Sequence, residues 1–127
     1  MSDGIYQAVR TFFVQPERDS EFLSFLARIA RENGITTGSF TAIGALRSAK
    51  LAFYDQDTRE YVDLADLRSP QELISCMGAI TTSGGEPDVH AHVVLVDSRG
   101  ATSSGHLVEG KVFFSQVTLV QLTPAGQ

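Results

Sequence analysis

Asp19-Ser20-Glu21-Phe22-Leu23-Ser24-Phe25-Leu26-Ala27-Arg28-Ile29-Ala30-Arg31-Glu32-Asn33-Gly34 is the stretch on which the fold class turns. Phe22, Leu23, Leu26, Ile29 and Ala30 fall on one stripe at helical spacing, with Phe25 at its edge. Arg28, Arg31 and Glu32 mark the wet face. Asp19 or Ser20 offers an N-cap and Glu21 a first-turn carboxylate that suits the helix dipole. Asn33-Gly34 ends the helix, with Gly34 as a left-handed cap. The periodicity predicts one main helix over about 19–33, its apolar stripe turned to a core.

The rest of the chain reads as β. Tyr6 to Val14 mixes alternation with β-branched and aromatic residues, and Gln15-Pro16-Glu17-Arg18 breaks it. Ser39–Leu46 and Ala49–Tyr54 read as two strands, Asp55-Gln56-Asp57-Thr58 as a turn, and Glu60–Asp63 as a short strand. Leu64–Pro70 reads as a loop and Leu73–Thr82 as a buried strand. Ser83–Asp88 connects flexibly to Val89–Val96. Asp97-Ser98-Arg99-Gly100 carries turn chemistry. Ala101–Leu107 and Lys111–Leu122 follow as strands, and Thr123–Gln127 as a tail. The class is therefore α+β, a mostly antiparallel sheet with one flanking helix. With so many strands and one helix, a sheet face or edge stays open for a partner subunit.

The chain has 127 residues, 43% hydrophobic and 20% charged, which fits a single domain over 1–127. No apolar run reaches the roughly 18 residues of a membrane helix. Met1-Ser2-Asp3-Gly4 lacks the basic and apolar regions of a leader peptide. A single cysteine, Cys76, excludes an intrachain disulfide and a Cys-rich zinc motif. The expectation is a cytoplasmic protein without membrane contact. A net charge of −5 and a pI near 5.0 argue against a duplex-binding face, which needs basic residues against phosphates. Lysine occurs only at 50 and 111, and the arginines are scattered singly.

The three histidines, His90, His92 and His106, all fall within a short segment. Positions i and i+2 of a strand project to one face, roughly 7 Å apart at Cα. That is the spacing at which two imidazoles meet one ion at about 2.0–2.1 Å each. Three neutral nitrogens suit Zn²⁺, Ni²⁺ or Fe²⁺ and leave an open coordination position. Parity sets a condition. A two-residue turn at Ser98-Arg99 pairs His106 with Ala91 and turns it to the wrong face, and a four-residue loop does the same. A three- or five-residue loop, or a bulge for which Gly105 is placed, returns His106 to the face of His90 and His92. Without that condition the three are histidines hydrogen-bonded on a half-exposed sheet.

Other groups carry weaker signals. Glu72, at the start of a buried-looking strand, is a candidate general base toward a metal-bound water, or a salt-bridge partner of Arg47 across a subunit contact. Glu109 reads as a surface carboxylate, with a fourth-ligand role as the alternative. Cys76 reads as inert core. Glycines 38, 44 and 78 match no phosphate loop and read as close-approach or bulge positions. Asp55, Asp57 and Glu60 lack the spacing of an EF-hand.

Several motifs occur in a fixed order: Ser39-Phe40-Thr41-Ala42-Ile43-Gly44-Ala45-Leu46, Leu51-x-Phe53-Tyr54, Glu72-Leu73-Ile74-Ser75-Cys76-Met77-Gly78, His90-Ala91-His92 and Gly105-His106-Leu107-x-x-Gly110-x-Val112. Together they resemble the plants-and-prokaryotes conserved (PPC) domain, which in plants follows AT-hooks. The resemblance covers about Arg10 to Leu122. It implies an antiparallel sheet with a flanking helix, assembled as a homotrimer. It also implies a metal on His90, His92 and His106; the all-nitrogen donor set makes zinc the first choice, and the open coordination position leaves room for a small polar ligand. Free-standing prokaryotic members are often called candidate DNA-binding proteins, and the plant domain associates with itself and with other nuclear proteins. Two departures matter. The plant Gly-Arg-Phe-Glu-Ile-Leu motif is here Ser69-Pro70-Gln71-Glu72-Leu73-Ile74, and the AT-hook is missing. The expectation is thus a homotrimeric metal-binding domain of unproven activity. A DNA-binding or regulatory protein and a protein-interaction scaffold are the alternatives.

Overall fold

A computed structural model describes residues 4–126. Met1–Asp3, within the stretch read for a leader, and Gln127 of the tail lie outside the described residues. Seven elements follow in order: β1 (Tyr6–Val14), α1 (Phe22–Glu32), β2 (Gly38–Asp55), β3 (Glu60–Leu67), β4 (Gln71–Ser83), β5 (Glu86–Val96) and β6 (Thr102–Pro124). The α+β class and the single helix hold. Among the described residues no helix is long and apolar enough to cross a membrane.

The sheet order is β1-β6-β5-β4-β2-β3, every pairing is antiparallel, and β6 also pairs with β2. That extra pairing closes β2, β4, β5 and β6 into a ring. β1 continues the ring beside the end of β6, and β3 beside the end of β2. Helix α1 packs on β5 and β6. Phe22, Leu26 and Ala30 are fully buried there, among Phe40, Leu46, Leu73, Ile80, Leu95, Val112, Val117 and Leu119. Each such large side chain contributes about 1.5–3 kcal/mol by leaving water.

Three sequence expectations shift, each for a physical reason. The strands expected at 39–46 and 49–54 are one strand, β2, because the pairing with β6 slips between Leu46 and Ser48. Such bulges break the apolar alternation without ending the strand. β6 runs unbroken for the same reason: Lys50 pairs with Glu109 and Leu51 with Leu107, so Val108 is the extra residue. The bulge for which Gly105 is a candidate does not form, since the β5–β6 ladder runs without a slip, and the irregularity at Val108 belongs to the pairing with β2. The expected loop 64–70 is largely strand, since Ala65 and Leu67 pair with β2 and pack on the core. Finally, the N-cap is Glu21 rather than Asp19 or Ser20. Those two residues are held against β6, where the Asp19 N–H donates to the Val112 carbonyl at 2.7 Å and the Val112 N–H to that of Ser20 at 2.9 Å. The Glu21 carboxylate then accepts from Leu23 N–H at 3.1 Å, Ser24 N–H at 2.8 Å and Gly110 N–H at 3.0 Å. Gly34, at φ +67°, closes the helix as expected.

Candidate functional site

Asp97 decides where His106 lies. Its side-chain oxygen accepts from the N–H groups of Arg99 and Ala101, both at 2.9 Å, and its own N–H donates to the Ala101 carbonyl at 3.0 Å. These bonds hold the Asp97 carboxyl below the usual carboxylate range, the Ala101 N–H contributing most. They fold residues 97–101 into a loop of odd length between the pair Val96–Thr102. The odd count puts His106 directly opposite His92. Gly105 passes through the same ladder opposite Val93 without a slip.

Ala91, Val93 and Leu95 are buried, so His90 and His92 point to the other face of β5. Potential ligand atoms of His90, His92 and His106 all lie within 4.8 Å of one another. Ring centroids are 4.7 Å apart for His90 and His106, 5.2 Å for His90 and His92, and 6.3 Å for His92 and His106. His90 and His92 are exposed and His106 is half-buried. Gly78 permits the strand spacing behind them: a Cβ there would strike the Phe40 ring and the His90 carbonyl.

His106 is the least solvated of the three. Its ring stacks on Tyr61, centroids 4.3 Å apart and planes 28° off parallel. Its Nδ1 is buried without a hydrogen-bond partner. Burial first, then the neighbouring His90 and His92, hold its pKa below the ordinary 6.5. The imidazole is therefore neutral at pH 7 and has a lone pair to give. A cluster of three imidazoles, one of them with a nitrogen lacking a partner, fits a tetrahedral divalent ion. Nitrogens bound to such an ion would sit roughly 3.4 Å apart, and His90, His92 and His106 would hold it once the exposed side chains of His90 and His92 turned inward.

The histidines open into a pocket of about 690 Å³. Ala52, Phe53, Tyr54, Tyr61, Val93, Val94, Ser104 and Gly105 line the rest of it. Tyr54 and Tyr61 face each other across β2 and β3 with centroids 5.1 Å apart. This aromatic wall was missed in the sequence. The available signal was a pair of tyrosines equidistant from the turn at residues 55–60.

The other sequence candidates lie elsewhere. Glu72 is exposed and pairs with Val96, four residues beyond His92 on β5, and it lines a separate depression with Pro70 and Asp97. The fold thus does not bring it to the histidines. Arg47, considered as its partner, binds Asp19 at 2.6 Å. Glu109 pairs with Lys50 at 3.1 Å on the surface. Cys76 is buried, and desolvation pushes its thiol up to about 12, so it is unreactive.

Known proteins share this architecture. A plant- and prokaryote-conserved protein from Pyrococcus horikoshii superposes with a TM-score of 0.91 and 33% identity, over 100% of this chain and 87% of its own. A metal-containing protein from Archaeoglobus fulgidus gives 0.90 and 28%, over 99% and 89%. A candidate DNA-binding protein from Ralstonia eutropha gives 0.78 and 26%, over 95% and 84%. In sequence, 96 residues, 75% of the chain, are 30% identical to the bifunctional protein GlmU of a Synechococcus species. The chain spans only 14% of that protein's length. The family model described as the Plants and Prokaryotes Conserved (PCC) domain matches residues 4–123, and the chain belongs to that family.

Proposed function

We propose that this protein is a homotrimeric, cytoplasmic metal-binding domain that holds one divalent ion on His90, His92 and His106. The observation that carries the reading is the set of three imidazoles within 4.8 Å, one of them with a buried nitrogen that lacks a partner. The metal-containing relative from Archaeoglobus fulgidus supports it. Three neutral nitrogen donors without a thiolate favour Zn²⁺, with Ni²⁺ and Fe²⁺ as weaker fits. Such an ion supplies a Lewis-acidic position to whatever enters the pocket. Here His106, held by Tyr61 and by the β5–β6 register, orients the site, and the exposed side chains of His90 and His92 complete it.

The trimer rests on a second surface. Phe13, Ile43, Ile74 and Met77, 46–65% exposed, gather around one shallow depression. An apolar patch of this kind on a soluble domain marks an assembly face.

Elemental analysis of untagged protein tests the metal, beside the triple variant His90→Ala, His92→Ala, His106→Ala. About one equivalent per chain, lost in the variant, is the expected result, and a metal-free wild type after reconstitution overturns it. Sedimentation equilibrium tests the trimer, and a monomer at micromolar concentration with the fold intact rejects it. The DNA-binding reading has a relative's description behind it. Against it stand the net charge of −5 and the engagement of Arg28, Arg31, Arg47 and Arg68 by carboxylates. Salt-dependent retention on duplex DNA would revive it.

A further inference from the structure

The wall of the histidine pocket has a chemistry of its own. Among the described residues lining it, none carries a carboxylate, an ammonium or a guanidinium. Phe53, Tyr54 and Tyr61 are 58%, 42% and 48% exposed, an unusual concentration of aromatic surface beside three polar rings. Neutral imidazoles bring no charge to a divalent ion, and no acidic side chain in the lining offsets it. The site therefore has a positive centre at one end, offset only at longer range by Asp88 beyond the lining, and an uncharged apolar wall at the other. Pockets that bind small molecules commonly have this division, an apolar body with a few polar groups that fix orientation.

Resting on the metal reading above, we infer that the pocket takes a small carboxylate with an aromatic or branched apolar body. The carboxylate turns to the histidine-held ion and the body lies against Phe53, Tyr54 and Tyr61. The volume of about 690 Å³ exceeds what a small anion such as acetate fills. The charge balance selects the anion, since an ammonium at the same end is repelled and an alcohol brings no compensating charge. The wall selects the body, because each apolar group placed on it leaves water. The expected ligand is thus amphiphilic rather than simply small and polar.

The experiment uses the 127-residue protein loaded with Co²⁺, whose visible absorption reports its ligands. Benzoate, acetate, benzylamine and benzyl alcohol are titrated in turn. The expected result is a spectral change with benzoate at a concentration about tenfold lower than with acetate, and none with benzylamine. Phe53→Ser, at a side chain that is largely exposed, should reduce the benzoate advantage about threefold while cobalt uptake is kept. Equal response to benzoate and acetate removes the apolar wall from the inference, and a response to benzylamine removes the charge argument. Failure of the protein to take up cobalt is a different result. It removes the metal reading and this inference together, whereas cobalt uptake without anion selectivity leaves the metal reading standing.

Discussion

The helix-covered side and the histidine side of this protein are built on the same two strands, β5 and β6, and they are finished in opposite ways. Under α1, Phe22, Leu26 and Ala30 are sealed from water, and the Glu21 carboxylate takes up N–H groups of the helix and of Gly110 at once. On the other face, His90 and His92 are exposed, Phe53 and Tyr61 are half in water, and a buried His106 nitrogen has no partner. One side is complete as it stands. The other leaves these groups open to the pocket. Where a fold leaves polar and apolar groups unfinished together, the deficit marks the place where a ligand is accommodated.

The contrast predicts that damage to the two sides separates stability from binding. Leu26→Ala removes a fully buried side chain from beneath the helix and should cost about 2–5 kcal/mol in urea unfolding. Metal content of the fraction that remains folded should be unchanged, and a parallel loss of metal would show that the two sides are coupled. His106→Ala should do the reverse. Metal affinity, read by competition with a chromophoric chelator, should fall at least about a hundredfold. The urea midpoint of the metal-free protein should move little, because the side chain removed has an unsatisfied nitrogen. A large destabilisation by His106→Ala would make the histidines structural groups and collapse the comparison. Glu21→Ala is a smaller probe of the complete side. Loss of the helix cap should cost about 0.5–2 kcal/mol, toward the upper end because Gly110 N–H is orphaned too.

The sequence displays these two sides unequally. The helix is legible because its stripe, Phe22 to Ala30, is local and needs only the 3.6-residue period. The shared face of His90 and His92 is legible for the same local reason, the two-residue period of a strand. His106 is half legible: parity required an odd loop or a bulge, and only the bonds of Asp97 to Arg99 and Ala101 select a five-residue loop. The continuity of β2 and β6 is hidden because bulges at Leu46–Ser48 and at Val108 imitate strand ends in the alternation. The aromatic wall is hidden because it needs the long-range pairing that sets Tyr61 against His106. The helix cap is misread since Asp19 and Ser20 have cap chemistry, yet their backbones are claimed by Val112.

The smallest expected effect is also the one that tests the unfinished side without any ligand. Burial, and after it the neighbouring His90 and His92, hold the folded pKa of His106 below 6.5, with Asp88 opposing more weakly. The unfolded chain takes up this proton near 6.5 and the folded chain resists it. Stability from this group is therefore fully present above pH 6.5 and is lost as pH falls through the folded value. Urea midpoints of chelator-treated protein should decline from pH 7.5 to pH 5.5, and His106→Gln should flatten that decline. Equal slopes in the two proteins would mean that His106 meets solvent freely. In that case its nitrogen would not be held ready for an ion, and the strongest physical sign of the metal site would be lost.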